Sequence, residues 1–407
     1  MKILIVHQAF PSQFKHLAPA LVEQGYEVSA LTLRSVNDVA MPRVNVLQYK
    51  LARSNATNGH PWTVDFESKA IRGEACMRAA LKLKDNGYYP DIVLAHPGWG
   101  ESLFLKGVWP NTKLKLYAEF FYHTSGADVG FDPEFSSTDR ADSGRVALKN
   151  ANNFLQFHQA DSGISPTHWQ ASTFPTHIRD KITVIHDGID TEVLSPNPTV
   201  NFLLDNGKDL TRDDEVVTFV NRALEPYRGF HIFMRSLPRL LSARPNAQVL
   251  IVGREGVSYG AQPPNGKSWK TIFSEDVLPK LTPQQRERIH FLGTIDYQHF
   301  INLLQVSRVH VYLTYPFVLS WSLLEAMSVG CSIVASDTQP LHEAIKHNDT
   351  GLLVDFFDQD ALADSVARLL DDEYTRVRLG EAARAFAIEN YDLEKHCLPK
   401  QIQWLLH

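Results

Sequence analysis

Short apolar runs alternate with segments of helical periodicity along the whole chain. The apolar runs are rich in β-branched residues, and they predict strands at Ile3–His7, Val28–Leu33, Asn45–Tyr49, Ile92–Ala95, Lys115–Glu119, Gly163–Ser165, Ile182–Ile185, Val216–Val220, Gln248–Val252, His290–Leu292, Val309–Leu313, Ser332–Ala335 and Leu352–Val354. Apolar positions at helical spacing predict helices at Phe14–Gln24, Phe66–Lys84, Phe230–Ser242, Tyr297–Val306, Ala361–Leu370 and Tyr374–Glu389. This alternation is typical of parallel sheets that are covered by helices on both faces. The strands are too many for one compact doubly wound sheet, so we predict two α/β domains in series.

Turn-forming and polar residues separate the two predicted domains. A glycine and two prolines punctuate residues 186–198, and a polar stretch continues to Asp214. We therefore predict an N-terminal domain at residues 1–190 and a C-terminal domain at residues 191–392, followed by a short amphipathic helix at residues 393–407. Open α/β sheets bind ligands outside the carboxyl ends of their strands, so we expect a ligand cleft there.

The composition is that of an ordinary globular protein, with 44% apolar and 21% charged residues among 407. The net charge of −6 is uneven, because residues 1–190 hold 19 Lys and Arg and 19 Asp and Glu, whereas residues 191–407 hold the other 21 and 27. This balance argues against a nucleic-acid-binding protein. A neutral N-terminal half is compatible with peripheral contact with the inner face of an anionic membrane, and an ordinary solvated surface explains it equally well.

The cysteines and acidic residues indicate neither a disulfide framework nor a metal site. Cys76, Cys331 and Cys397 are too few for a framework, and no two of them have metal-ligand spacing. This favours a reducing compartment, and we expect a cytoplasmic protein. No apolar run reaches the ~18 residues of a membrane span. Asp337 and Asp355 lack the clustering that a metal site needs, so we expect no metal.

Two arginines lie close together after the predicted strand Val216–Val220. They occur in the run Asn-Arg-Ala-Leu-Glu-Pro-Tyr-Arg-Gly-Phe, which begins at residue 221 and opens a helix. Arg222 and Arg228 bring permanent charge and forked donors to a helix N-terminus, which itself favours anions. The combination suits a diphosphate. An ordinary helix-start surface with two solvated arginines is the alternative.

A lone carboxylate follows the next candidate turn. Residues 314–330 lead from the predicted strand Val309–Leu313 across a turn into a helix that ends at Gly330. The N-terminus of such a helix offers free N–H groups to an anion. Glu325, one or two turns further along, is placed to bind a sugar hydroxyl. The alternative for Glu325 is an exposed position on the polar face of the helix.

Polar residues also follow predicted strands in the N-terminal half. Glu119, flanked by aromatic residues at the end of its strand, is either a functional acid or an inward-facing paired charge. His123 lies in the loop that follows, and it is either a ligand-binding or a structural residue. Gln13 and Lys15 lie in the loop after the first strand, where contact with an acceptor and a plain helix start are both open.

Residues 314–330 resemble the nucleotide-sugar site of glycosyltransferase family 4, whose usual form reads Glu-Gly-Phe-Gly-Leu-Pro-x-x-Glu-Ala-Met-x-x-Gly. Glu325 stands at the second glutamate of that motif, and Phe317 stands at the first. Residues 221–229 resemble the family's Arg-x-x-x-x-Lys-Gly, with Arg228 in place of the lysine and one residue added to the spacing.

The resemblance spans most of the chain. The runs Phe10–Leu21 and Glu119–His123 point to a bacterial subgroup of the family. The resemblance implies the GT-B architecture, with two Rossmann-like doubly wound domains that face across a cleft. The donor is then bound by the second domain and the acceptor by the first, and the helix at residues 393–407 crosses back to the N-terminal domain.

The reaction implied by the resemblance is retaining transfer of a hexose from a nucleoside-diphosphate sugar. UDP-sugar is the commonest donor of this architecture. The acceptor is a glycan, a lipid-linked sugar or a small molecule, in polysaccharide or glycoconjugate biosynthesis. The expected path is a front-face attack in which the departing phosphate takes the proton of the acceptor. The sugar nucleotide is a co-substrate, and neither a cofactor nor a metal is expected.

The resemblance also implies roles for individual residues. Arg222 and Arg228 neutralise the pyrophosphate, Glu325 binds the ribose, and His123 touches the donor sugar and its phosphate. Gln13 and Glu119 are candidates for the acceptor side. Further contacts with the donor are expected from Gly253, Arg254, Gly293, Thr294, Phe317, Val318, Leu319, Ser320 and Trp321.

Phe317 departs from the family pattern, because its side chain cannot accept a hydrogen bond from the sugar. Losing one charged hydrogen bond costs ~1.5–3 kcal/mol, so an active enzyme needs compensation. We expect the backbone N–H groups of Val318–Trp321 to hold the sugar, while Phe317 packs under the helix or lies against the sugar ring. The alternatives are a catalytically silent nucleotide-sugar-binding protein, a sugar-nucleotide epimerase and a phosphorylase. The last would need a lysine for pyridoxal phosphate, and no convincing one is found.

Overall fold

The protein consists of two compact units. The computed structural model describes residues 1–39, 41–136, 139 and 141–407. One unit contains Met1–Asp187 together with Glu394–His407, and we call it unit 1. Unit 2 contains Gly188–Leu393. The first boundary therefore lies three residues before position 190, the end of the N-terminal domain that the sequence predicts.

Unit 1 is built on a parallel sheet whose strand order is β3-β2-β1-β4-β5-β6-β7. Its strands are β1 Lys2–Val6, β2 Glu27–Thr32, β3 Asn45–Gln48, β4 Ile92–Ala95, β5 Lys113–Tyr117, β6 Ser162–Ser165 and β7 Ile182–Val184. Its first six helices are α1 Leu17–Glu23, α2 Val64–Asp85, α3 Leu105–Val108, α4 Asp142–Gln159, α5 His168–Ser172 and α6 Thr176–Arg179. Ile3, Leu4, Ile5 and Val6 are fully buried. Such a continuous apolar strand is typical of a parallel sheet covered on both faces.

Unit 2 contains a second parallel sheet, in the order β12-β11-β10-β13-β14-β15, and a separate antiparallel hairpin of β8 and β9. Its strands are β8 Asn201–Leu203, β9 Asp209–Thr211, β10 Val216–Ala223, β11 Gln248–Arg254, β12 Ile289–Gly293, β13 Val309–Tyr312, β14 Ser332–Ser336 and β15 Leu352–Val354. Its helices are α7 Phe230–Ala243, α8 Trp269–Val277, α9 Pro283–Arg286, α10 Tyr297–Val306, α11 Trp321–Val329, α12 Gln359–Asp371 and α13 Glu373–Tyr391.

The last helix of the chain, α14 Leu398–Leu406, belongs to unit 1. Two lysines of β5 donate hydrogen bonds to carbonyls near the carboxyl end of this helix. Nζ of Lys115 donates a hydrogen bond to the carbonyl of Trp404 at 2.7 Å, and Nζ of Lys113 donates one to the carbonyl of His407 at 3.2 Å. Cations at this end of a helix satisfy its last carbonyls and complement its dipole.

The hairpin of β8 and β9 is absent from the sequence prediction, which treats the region up to Asp214 as a polar linker. Its turn carries the Asn206-Gly207 pair, and Gly207 adopts a φ of 83°. Asn-Gly between two short strands is a strong hairpin signal, because both residues tolerate positive φ. The sequence therefore contains a hairpin signal, but the polar composition of the segment favours the prediction of a linker.

Helix α4 is also missing from the predicted helices. Its buried face is made largely of amides, namely Asn150, Asn152, Asn153 and Gln156. These side chains donate hydrogen bonds to loop carbonyls, for example from Asn152 Nδ2 to Pro97 at 2.7 Å. Because the buried face is polar, its periodicity is not visible as an apolar stripe.

Candidate functional site

A pocket of about 430 Å³ lies at the carboxyl ends of β10, β11 and β12 in unit 2. It contains five residues that the sequence analysis names as candidates: Arg222, Gly253, Arg254, Gly293 and Thr294. The others that line it are Asn221, Val252, Ile295, Tyr297 and Phe300. Parallel strands bring their carboxyl ends to one edge of the sheet, which explains why candidates far apart in sequence meet here. We call this the arginine pocket.

The two arginines of the run at 221–230 have different environments. Arg222 lies near the end of β10, is exposed, and lines the arginine pocket. Arg228 is only 5% exposed. Its Nη1 donates hydrogen bonds to the hydroxyl of Tyr312 at 3.0 Å, to Oγ1 of Thr314 at 2.7 Å and to the carbonyl of Val318 at 3.1 Å. Arg228 therefore ties the start of α7 to the segment after β13.

Close packing requires a glycine at position 229, directly before α7. Gly229 adopts a φ of 68°, in the left-handed region that favours glycine. A Cβ atom on this residue would lie 2.4 Å from Cβ of Leu313. Only glycine fits here, so the turn that carries Arg228 is held directly against the segment after β13.

A buried carboxylate, Glu225, organises the loop after β11. Its Oε1 accepts hydrogen bonds from the backbone N–H groups of Ser258 at 3.1 Å and Tyr259 at 3.2 Å, and its Oε2 accepts one from Gly260 at 3.0 Å. Burial raises the pKa of Glu225, although these hydrogen bonds act in the opposite direction. Glu225 is not among the residues predicted from the sequence, because its three partners lie more than 30 residues away.

Phe317 is packed among aromatic side chains and is 3% exposed. Its ring meets that of Tyr227 edge-on, with centroids 5.3 Å apart, and that of Tyr259 at 5.1 Å. The guanidinium carbon of Arg228 lies 6.0 Å from the Phe317 centroid. The Phe317 ring therefore packs against other side chains of the protein. We call Tyr227, Tyr259 and Phe317 the aromatic cluster.

The residues after Phe317 lead directly into α11. Val318 and Leu319 are each 7% exposed, whereas Ser320 and Trp321 are partly buried. The backbone N–H of Ser320 donates to the hydroxyl of Tyr312 at 3.0 Å, so the protein itself uses this donor. Oγ of Ser320 caps the helix by accepting from the N–H of Ser322.

Glu325 is 7% exposed and lies one turn into α11. Its Oε1 accepts a hydrogen bond from the hydroxyl of Tyr297 at 3.0 Å. Tyr297 is the first residue of α10 and lines the arginine pocket. The structure thus connects Glu325 to this pocket through a tyrosine that the sequence analysis does not name.

Unit 1 has a different set of groups at the carboxyl ends of its central strands. His7 follows β1, His96 follows β4, and Glu119 follows β5. Nε2 of His96 lies 3.4 Å from Oε2 of Glu119, and the rings of His7 and His96 have centroids 5.4 Å apart. Strand order reverses between β1 and β4, which is where open α/β sheets bind ligands. We call these three residues the histidine–carboxylate cluster.

Backbone N–H groups donate hydrogen bonds to Nδ1 of both imidazoles. Nδ1 of His96 accepts from the N–H of Gly98 at 3.1 Å, so the proton of the neutral ring is on Nε2, which faces Glu119. Nδ1 of His7 accepts from the N–H of Ala9 at 3.0 Å. Burial, followed by the nearby His96, lowers the pKa of His7 to about 3.

Of the N-terminal candidates, the structure brings Gln13 and Glu119 together but places His123 elsewhere. Nε2 of Gln13 lies 3.5 Å from Oε1 of Glu119. Nε2 of His123 donates to the carbonyl of Thr173 at 2.7 Å. His7 and His96 are missing from the candidates, although His7 is the last residue of one predicted strand and His96 directly follows another. Their position at the end of a strand is the sequence signal that would have identified them.

Over residues 1–39, 41–136, 139 and 141–407, no helix is both long and apolar enough to cross a membrane. In the same ranges, no group of three or more His, Cys, Asp or Glu side chains is arranged to hold a metal ion.

Two family models match consecutive parts of the chain. The model described as "Glycosyl transferase family 4 group" matches residues 24–194, and the model described as "Glycosyl transferases group 1" matches residues 204–386. The chain belongs to the glycosyltransferase family 4 group. The family predicted from residues 221–229 and 314–330 is therefore confirmed, and the second model includes the arginine pocket.

Curated relatives match part of the chain. The D-inositol 3-phosphate glycosyltransferase of Corynebacterium efficiens is 28% identical over 213 residues, which are 50% of this chain and 46% of that protein. The phosphatidyl-myo-inositol mannosyltransferase of Mycolicibacterium smegmatis is 27% identical over 213 residues, 51% of this chain and 47% of the relative. The chain thus spans about half the length of these relatives.

Solved structures match over nearly the full length. Sucrose-phosphate synthase from Thermosynechococcus elongatus has a TM-score of 0.72 at 19% identity, with 99% of this chain and 98% of that chain covered. HepE of Anabaena, in complex with UDP and glucose, has a TM-score of 0.67 at 15% identity, with 100% and 99% covered. These likenesses confirm the GT-B fold class that the sequence predicts.

Proposed function

We propose that the protein transfers a hexose from a nucleoside-diphosphate sugar to a hydroxyl of a sugar-containing acceptor, with retention of configuration. The observation that carries the proposal is the arginine pocket. It places Arg222 and Arg254 beside Gly293 at the carboxyl ends of three strands, and Gly293 is exposed, with no heavy atom within 4 Å of where a Cβ would lie. Guanidinium groups pair with phosphate through forked donors, and glycines allow a ligand to approach the main chain closely.

UDP is the nucleotide that we propose for this pocket. Among the structural neighbours, HepE was solved with UDP and with UDP-glucose. The arginines supply fixed positive charge to the departing diphosphate, so the proposal needs no metal. Phe317 does not enter this donor contact, because it is buried in the aromatic cluster.

In the proposed step, the bond between the anomeric carbon and the phosphate oxygen breaks. A new bond forms from that carbon to the acceptor oxygen on the same face of the sugar. The acceptor proton passes to the departing phosphate oxygen, so no protein base is required. The contribution of the protein is then positioning and stabilisation of charge.

The histidine–carboxylate cluster is the proposed acceptor site in unit 1. The side chain of Glu119 is 37% exposed, with Oε2 3.4 Å from Nε2 of His96 and Oε1 3.5 Å from Nε2 of Gln13. A carboxylate that accepts hydrogen bonds suits the hydroxyls of a neutral sugar. Glycans, lipid-linked sugars and small molecules share this chemistry, and a lipid-linked acceptor would bring unit 1 to a membrane surface.

Calorimetric titration with UDP, GDP, ADP and their hexose conjugates tests the proposal, followed by assay of sugar release and transfer. We expect one nucleoside diphosphate to bind at a single site. A ligand at 100 times its dissociation constant stabilises the fold by ~2.7 kcal/mol, which gives a parallel thermal readout. Absence of binding by all three nucleotides would overturn the proposal.

A catalytically silent nucleotide-sugar-binding protein is the second candidate. It is favoured by Phe317, which stands where the family motif has a glutamate and lies buried. This candidate predicts tight nucleotide binding with neither hydrolysis nor transfer of the sugar. Turnover of a bound UDP-hexose, even slow hydrolysis, would exclude it.

A further inference from the structure

Tyr297 joins the wall of the arginine pocket to the buried carboxylate of Glu325. The tyrosine opens α10, whose N-terminus is capped when Oδ1 of Asp296 accepts from the N–H of His299 at 2.9 Å. Its ring is stacked beside that of Phe300, with centroids 5.8 Å apart and an angle of 29° between the planes. The cap and the stacked neighbour fix where the Tyr297 hydroxyl lies.

The environment of Glu325 makes that hydroxyl important. Glu325 is 7% exposed, and a carboxylate removed from water needs donors. Tyr297 supplies one at 3.0 Å to Oε1, and a hydrogen bond from a fixed donor sets the plane of the carboxylate. Tyr297 itself is 49% exposed, so its ring is not a core element on which the fold depends.

We propose that Tyr297 is a positioning residue for nucleotide binding. It holds the Glu325 carboxylate in the orientation in which that group accepts hydrogen bonds from the ribose hydroxyls. The inference rests on the proposed function, because it assumes that the arginine pocket takes a nucleotide and that Glu325 contacts its ribose, as the family resemblance implies. It adds a residue that determines whether a ribonucleotide is preferred over an analogue without the 2′- and 3′-hydroxyls.

The experiment compares UDP with 2′,3′-dideoxy-UDP by calorimetric titration of the full chain. Tyr297→Phe keeps the ring and removes only the hydroxyl. We expect this variant to bind UDP about tenfold more weakly, since one hydrogen bond to a charged group is worth roughly that factor. Binding of the dideoxy analogue should change less than twofold. Tyr374→Phe, at a tyrosine that is 78% exposed, is the matched control and should change neither affinity.

A double-mutant cycle with Glu325→Gln identifies the route of the effect. If Tyr297 acts through Glu325, Tyr297→Phe should have little further effect once the carboxylate is gone. Equal weakening of UDP and its dideoxy analogue, or no weakening of either, would overturn the inference and leave the proposed function intact. Failure of the wild type to bind UDP, GDP and ADP would overturn both. The unfolding temperature of each ligand-free variant shows that the fold is unchanged.

Discussion

The arginine pocket of unit 2 and the histidine–carboxylate cluster of unit 1 occupy equivalent places, at the carboxyl ends of parallel strands, but their charges are reversed. In unit 2 an arginine, Arg222, is exposed, while the carboxylate of Glu325 is buried. In unit 1 the imidazoles of His7 and His96 are buried, and the carboxylate of Glu119 is partly open. The same type of sheet therefore presents cations at one site and an acceptor of hydrogen bonds at the other.

This difference supports the assignment of ligands. A phosphate ester is favoured beside exposed guanidinium groups and is repelled by an open carboxylate. A neutral sugar hydroxyl donates well to a carboxylate and gains little from a guanidinium. Because both sheets have the same topology, the type of side chain at the strand ends distinguishes the two sites better than the fold does.

The largest expected effect comes from emptying the aromatic cluster. Phe317→Ala removes a ring that is 3% exposed, and large-to-small changes of this kind cost ~3–5 kcal/mol. Urea unfolding monitored by fluorescence measures the loss. Phe317→Glu should not raise turnover of a UDP-hexose, because it places a new charge in a site that is packed around an aromatic ring. A clear gain in turnover for Phe317→Glu would contradict this expectation and would mean that the protein lacks activity because it lacks the glutamate of the family motif.

The second prediction separates the two arginines by stability. Arg228→Ala removes a donor from three buried oxygens, and we expect a loss of ~3 kcal/mol or more in the free energy of unfolding. Arg222→Ala, at an exposed position near the end of β10, is the matched control and should change stability by less than ~0.5 kcal/mol. Similar losses for the two variants would remove the distinction between them.

For ligand binding we expect a clear effect at Arg222, the arginine that matters less for stability. Arg222→Ala should weaken binding of UDP by ~1.5–3 kcal/mol, the value of a hydrogen bond to a charged group, and should leave binding of uridine nearly unchanged. Calorimetric titration with both ligands measures the contrast. Equal losses for UDP and uridine would show that Arg222 does not face the diphosphate.

The smallest effect at neutral pH concerns His7. Its pKa is lowered to about 3 in the folded protein, whereas an unfolded histidine titrates near 6.5. Between these values the unfolded state binds the additional proton, so the free energy of unfolding falls as pH decreases from ~6.5 towards 3. His7→Gln should make this pH dependence shallower in urea unfolding. An unchanged slope would show that His7 is not held neutral.

The positions of strands and glycines could be predicted from the sequence. Ile92–Ala95 and Leu352–Val354 are strands at the predicted bounds, because continuous apolar runs mark buried parallel strands. Gly253 and Gly293 each follow a predicted strand, and the family resemblance implies a donor contact at these strand ends. Residues placed directly after strands reach the sheet edge whatever their distant partners are.

Burial and long-range partners could not be predicted in the same way. Arg222 and Arg228 look alike in the sequence, and their difference depends on Tyr312, Thr314 and Val318, which lie more than 80 residues from Arg228. Tyr297 contacts Glu325 only because α10 and α11 place it beside a carboxylate 28 positions away. Such contacts arise from tertiary packing, so they cannot be predicted from the periodicity of a local segment.

We propose that UDP binds in the arginine pocket and not at the histidine–carboxylate cluster. Nuclear magnetic resonance mapping of backbone amides during titration with UDP distinguishes the two sites. We expect saturable shifts at Gly253 and Gly293, with the amides of Gly98 and Ala9 unchanged. Shifts confined to Gly98 and Ala9, or no saturable shifts at Gly253 and Gly293, would contradict it.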